Sequence, residues 1–211
     1  MGKKPASRPT RKGNEADRII EAALGLAATQ GWRDTTLADI AAAAKLPLAE
    51  VHRNFASKAA ILAAFSRRID ETVLAGEDPE LAGQSPRDRL FDVIMRRFDA
   101  LAPHKAAVGA LVRDGCTDPL IALCGARSLR RSMAWMLEAA RIDSSGLRGL
   151  VRTKGLAAIY LAVLRVWLDD DSADMARTMA ALDRRLTQAE RLMAFCRLPR
   201  PRRRRTETET A

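Results

Sequence analysis

Aromatic residues are scarce, at 4% of the 211-residue chain. There is one tyrosine, Tyr160, and only two histidines, His52 and His104. Sheets draw on aromatic and β-branched side chains, so this composition disfavours them. Ala and Leu are abundant instead, and both lose little side-chain entropy in a helix. Cysteine is also rare. Cys116, Cys124 and Cys196 show no metal-ligand spacing and are odd in number, which suits free thiols in a reducing cytosol and a cytoplasmic protein. No apolar run approaches the roughly 20 residues of a membrane span. The basic N-terminus is not followed by an apolar stretch, so it does not read as a secretory signal. A Gly-rich phosphate loop, a nucleophile elbow and a metal cluster are all missing, and the two histidines lie far apart. The chain does not read as an enzyme, and no cofactor or metal is expected.

Negative charge is in deficit, with a net charge of +10. The excess sits at the two ends. Lys3, Lys4, Arg8, Arg11 and Lys12 crowd the start, and Arg197, Arg200 and Arg202 to Arg205 crowd the end. The body between them is almost neutral. Residues 1–13 are read as a basic disordered arm and 197–211 as a disordered Arg-rich tail. Such ends grip phosphates without reading sequence, or remain solvated.

The remainder reads as about nine helices. The first is predicted over Glu15 to Gln30, capped by Asn14, with Ile19, Ile20, Ala23, Leu24 and Ala27 on one face and Gly31 at its end. Thr36 and Asp39 form a capping-box start for a second helix through Ala43. A break at Ala44 to Pro47 precedes a third helix to Asn54, and Ser57 caps a fourth, to Leu74. Gly76 to Gln84 is a polar linker. Ser85 and Pro86 start a fifth helix, with Leu90, Ile94, Phe98 and Leu101 inward, and Pro103 stops it. A sixth spans His104 to Arg113, a seventh follows Asp118-Pro119 to Arg141, and an eighth, apolar on most faces, covers Leu147 to Leu168.

The acids Asp169 to Asp171 with Ser172 cap a ninth helix. Met175, Met179, Leu182, Leu186, Ala189, Met193 and Cys196 alternate spacings of four and three along it, a heptad seam. That seam packs either inside the chain or against a second subunit, and the subunit interface is the favoured reading. Phe98, Trp135, Met136, Tyr160 and Trp167 are candidate walls of a ligand pocket, although aromatics and Met at helical spacing also build ordinary core.

Ile20 to Ala23, Gly31-Trp32, Thr35 to Ala41, Phe55 to Lys58 and Ile61-Leu62 resemble, in order and spacing, the N-terminal domain of TetR-family transcriptional regulators. The resemblance implies an all-α fold. A three-helix helix-turn-helix domain (14–56) would precede a helical ligand-binding and dimerisation bundle (57–196). Its implied partners are a double-stranded DNA operator, a second copy of the chain and an unknown small apolar ligand, with no membrane span. Its implied DNA-contacting residues are Thr36, Lys45, Pro47, Leu48, Ala49, His52, Arg53, Asn54 and Lys58. The implied dimer contacts are Met175, Met179, Leu182, Leu186, Ala189 and Met193.

Several positions depart from the family pattern. Lys45 stands at a turn where Gly is usual, so a left-handed backbone there would be strained. Leu48 and Ala49 offer only apolar contact, for example to a thymine methyl. Glu50 would repel phosphate. Residues around Arg152 to Lys154, Ile159-Tyr160, Trp167 to Ser172 and Ala181 to Leu186 are also similar to the ubiquinone-biosynthesis lipid-binding family. That second resemblance implies a TetR-like fold holding a lipid or quinone precursor without sequence-specific DNA binding.

Overall fold

The structure is a computed structural model that describes residues 11–76, 83–117 and 119–195. The expectations for the remaining basic arm, for Asp118, for the Met193 side chain, and for Cys196 with the tail lie outside the described residues. Within them are nine α-helices: α1 (Arg11–Gln30), α2 (Leu37–Ala43), α3 (Leu48–Asn54), α4 (Lys58–Ala75), α5 (Pro86–Leu101), α6 (Lys105–Thr117), α7 (Pro119–Ala139), α8 (Gly146–Leu168) and α9 (Ala176–Phe195). A 3-10 turn, Ala102–His104, joins α5 to α6.

Local chemistry sets most boundaries. Thr36 and Asp39 make the reciprocal capping box of α2. The Ser57 and Ser85 hydroxyls accept the amides of Ala60 and Asp88 and start α4 and α5. Gly31, at φ 88, closes α1. Two helices end without glycine. Leu46 donates its amide to Ala41 and Lys45 donates to Ala42, with Lys45 at φ 53. Ile142 donates to Leu137 and Arg141 to Glu138, with Arg141 at φ 57. Both are Schellman closures that place a side chain in left-handed backbone, where Gly would be relaxed.

One continuous core links the two parts of the chain. Ile19, Ala23, Ile40, Val51 and Phe55 pack α1, α2 and α3 together. Helix α1 also lies against α4 and α6. Helix α4 packs on α5 and α7, and α8 lies between α7 and α9. Phe98 and Trp167 are fully buried where α5 meets α8.

The structure corrects several expectations. Helix α1 begins at Arg11, so Asn14 lies within it and is not its cap, and residues 11–13 belong to the helix rather than to the arm. Helix α6 runs a turn beyond Arg113, and α7 stops before Arg141 because of the closure above. Helix α9 starts at Ala176. Met175 precedes it in left-handed backbone at φ 52, half-buried against the core.

The largest correction concerns the seam. Leu182 is 0% exposed and Leu186 4% within a single chain, against α5 and α8. They have no surface left to offer a second subunit, so they are core residues. Trp135 is corrected too: it is 52% exposed on α7 and does not line an interior pocket.

Candidate nucleic-acid interface

Helices α2 and α3 are short because their ends are chemically enforced. Lys45 closes α2, and Pro47, which lacks an amide donor, opens α3. Arg18 of α1 donates to the Ala44 carbonyl at 2.6 Å and so braces the turn between them. Val51 of α3 is 0% exposed against α1 and α2. Inward Val51 turns Pro47, Leu48, Ala49, His52 and Arg53 outward, and all five are exposed. Leu48, at 51%, is a large apolar side chain displayed at the surface.

Four polar members of the motif, Thr36, Arg53, Asn54 and Lys58, are already engaged. Arg53 pairs with Glu50, one turn back on α3, and Asn54 donates to the Glu50 carbonyl at 2.9 Å. Thr36 donates its amide to Asp39 at 2.8 Å and its hydroxyl at 2.7 Å, which holds the Asp39 carboxyl below its ordinary range. Lys58 donates to the Trp32 carbonyl at 2.6 Å and lies 4.8 Å from the Trp32 ring centre. Partial burial lowers the pKa of this lysine. Lys45 is exposed at the turn. Thr36, Lys45, Lys58 and the outer face of α3 thus belong to α2, α3 and the segments that flank them, with Glu50 neutralising Arg53.

Residues outside the motif hold this end in place. Asp114 of α6 accepts the amides of Trp32 and Arg33 in the loop before α2. Arg68 of α4 pairs with Glu21 of α1 at 2.6 Å. Neither Asp114 nor Arg18 is singled out by the sequence, because each acts on backbone groups far along the chain. A second missed cluster lies in the interior, where Asp70 of α4 pairs with Arg97 of α5 and also accepts from Ser132 of α7. A carboxylate beside Ile69 and Val73 on a buried helix face was the available signal.

Of the candidate pocket residues, Phe98, Met136, Tyr160 and Trp167 are buried together in the bundle. Phe98 stacks on Tyr160 at 5.3 Å and meets Trp167 at 5.5 Å. Burial raises the pKa of the Tyr160 hydroxyl, against the pull of Arg97. Among the described residues no helix is long and apolar enough to cross a membrane.

Residues 19–65 match the family model described as bacterial regulatory proteins, tetR family. Residues 152–193 match the COQ9 family model. Among curated protein sequences, none matches. A TetR transcriptional regulator from Nitrosomonas europaea is 26% identical, with a TM-score of 0.68 over 84% of this chain and 98% of its own. One from Rhodococcus sp. RHA1 is 20% identical, with a TM-score of 0.61 over 82% of this chain and 94% of its own. A tetR-family regulator from Streptomyces coelicolor, 18% identical, shares the fold at a TM-score of 0.54 over 86% of this chain and 83% of its own. Residues 19–65 are therefore similar to the tetR-family domain of bacterial regulatory proteins, on an all-helical fold that the chain shares with TetR transcriptional regulators.

Proposed function

We propose that this protein is a transcriptional repressor that holds an operator duplex as a homodimer and releases it when a small ligand enters the bundle of α4 to α8. The carrying observation is the outer face of α3, where Pro47, Leu48, Ala49, His52 and Arg53 stand exposed together. A helix so displayed enters the major groove, where Leu48 and Ala49 meet thymine methyls and His52 and Arg53 reach polar groups. Asn54, Thr36, Lys45 and Lys58 sit at the flanks, where phosphates pass. Lys58 exchanges the Trp32 carbonyl for a phosphate oxygen, and the phosphate field draws Arg53 away from Glu50.

The second copy docks on α8. Leu147, Val151, Lys154, Ala158, Leu161 and Arg165 follow spacings of four and three, and all are exposed. Leu147 is 78% exposed, Val151 63% and Leu161 48%. This heptad stripe is unburied within the chain, and paired across a twofold axis it covers itself. On α9, Met179 and Ala189 remain half-buried and lie at the rim of such a contact. The apolar ligand would lie beside Phe98, Met136, Tyr160 and Trp167.

Selection of bound sequences from fragmented genomic DNA tests the proposal. An enriched site at moderate salt supports it, and a folded protein that enriches none sinks it. The match of residues 152–193 to the COQ9 family favours a second reading, a lipid or quinone-precursor carrier without operator binding. Native mass spectrometry of the protein from its own host separates the two. A co-purified isoprenoid lipid with no selected DNA favours the carrier, and a selected operator favours the repressor.

A further inference from the structure

Four helices converge on one buried charged cluster. Asp70 comes from α4, Arg97 from α5, Ser132 from α7 and Tyr160 from α8. The Arg97 side chain is 5% exposed and that of Asp70 11%. Arg97 Nη1 and the Ser132 hydroxyl both donate to the same oxygen, Asp70 Oδ1. The guanidinium lies 5.6 Å from the centre of the Tyr160 ring.

The pair leaves donors unused. Arg97 Nε is buried and has no acceptor. Ser128, one helical turn before Ser132 on the same face of α7, also buries its hydroxyl without a partner. Arg87 and Arg96 have unpaired Nε atoms as well, but about a quarter of each of those side chains meets solvent. Arg97 lies in the core, where an unsatisfied donor of a charged group is costly and calls for an acceptor.

We propose that Arg97 is the head-group site for an effector bearing a carboxylate, and that Asp70 fills this site from within the chain until the effector arrives. The inference rests on the ligand-responsive reading above and names the chemical class of the ligand. A guanidinium presents five donors in a fixed fork, and its Nε side accepts a carboxylate in two-pronged fashion. A neutral carbonyl would accept from Nε alone, whereas a carboxylate spans Nε and the neighbouring Nη with charge-assisted bonds. A ligand carboxylate satisfies Nε and brings a second negative charge against Asp70.

Two carboxylates beside one buried guanidinium repel each other, so the Asp70 contact gives way as the effector binds. Arg97 is never left without a counter-charge, because the ligand carboxylate reaches its free Nε side, and the displaced Asp70 retains the Ser132 hydroxyl as a donor. The ligand's apolar body lies against Phe98, Met133 and Met136, all 0% exposed, where Met side chains adapt to varied shapes. Asp70 sits on α4, which begins at Lys58 beside α3. Releasing Asp70 removes the polar link of α4 to α5 and α7 and lets the end of the chain that carries α3 shift.

Calorimetric titration of the full chain with octanoate, decanoate, dodecanoate and 4-phenylbutyrate, each beside its primary amide, tests this. In the wild type at least one acid binds about tenfold or more tighter than its amide. Asp70→Asn removes the internal competitor and tightens that acid by a further factor of about ten. The double variant D70N/R97M leaves no buried charge and is checked for folding by circular dichroism. It loses the preference for acid over amide. The proposal is overturned if no acid binds, if amide and acid bind alike, or if the folded double variant keeps the preference. Acid binding with the expected variant pattern but no selected DNA would retain this site and remove the repressor reading. A selected operator with no acid bound does the opposite.

Discussion

Asp114 on α6 accepts hydrogen bonds from two successive amides, Trp32 at 2.7 Å and Arg33 at 3.0 Å. The carbonyl of the same Trp32 accepts from Lys58 at the start of α4. The loop between α1 and α2 is thus clamped from one side by the bundle and from the other by the helix that leads into it. Both clamps act on backbone, so the loop sequence itself need not carry them.

Asp114→Ala leaves two amides without their charged acceptor, while Asp114→Asn retains one acceptor oxygen. The alanine variant is expected to lose about 2 kcal/mol of stability and the asparagine variant about half of that, measured by urea denaturation. Equal stability of all three proteins would show that solvent satisfies these amides equally well.

Glu50 ties up Arg53 on the face proposed to meet DNA. Glu50→Gln removes a carboxylate that phosphate would repel and frees the arginine. Affinity for a selected operator is expected to rise about threefold to tenfold, with a salt dependence steeper by about one phosphate contact. A fall in affinity would mean that Glu50 positions Arg53 for its base or phosphate contact.

Asp170 accepts from the Ser172 hydroxyl and amide and from the Thr178 hydroxyl and amide. These bonds, the Ser172 and Thr178 hydroxyls foremost, hold its carboxyl far below the usual range. A carboxyl lowered by folding stabilises the protein above its ordinary pKa of about 3.9 and loses that contribution as pH falls below it. The melting temperature of Asp170→Asn should therefore lie several degrees below wild type at about pH 6. The gap should narrow steadily from about pH 4 downward. A gap that stays constant with pH would assign the effect to something other than this ionisation.

Leu182 and Val151 separate the core from the proposed interface. Leu182→Asp places a carboxylate at a position with no solvent access and is expected to cost several kcal/mol, about 3 or more, giving a poorly folded chain. The double variant V151D/L161D changes exposed positions, so it should keep its helical spectrum and sediment as a monomer that no longer holds an operator. A folded, dimeric V151D/L161D protein would remove α8 from the interface.

How far the sequence reveals this molecule differs from element to element. The limits of α2, α3 and α4 follow from Thr36, Asp39, Pro47 and Ser57, because capping and missing donors act within one turn. The start of α1 does not follow. A cap such as Asn14 is worth about 1 kcal/mol, too little to stop a helix that has residues able to extend it. The α9 stripe is legible as a stripe, yet its period is the same whether it packs on α5 and α8 or on another chain. On α8 the exposed stripe is hidden in the sequence because apolar residues occupy most faces. Asp70 and Arg97 lie on different helices, and Asp114 acts on main-chain groups of residues 32 and 33, so no short-range pattern connects them. Trp135 shows that a large aromatic is no guarantee of burial.

Selection from fragmented genomic DNA by the purified protein tests most directly whether the α2–α3 unit reads DNA sequence. The expected result is an enriched, roughly palindromic site whose half-sites lie about one helical turn or a small multiple of it apart. Binding to that site should weaken linearly in log–log form as salt rises. His52→Ala and Leu48→Ala should each relax the preference at particular base pairs, by about 1–3 kcal/mol for each base pair no longer read. A protein that is folded by circular dichroism yet binds all fragments alike at moderate salt would contradict the account.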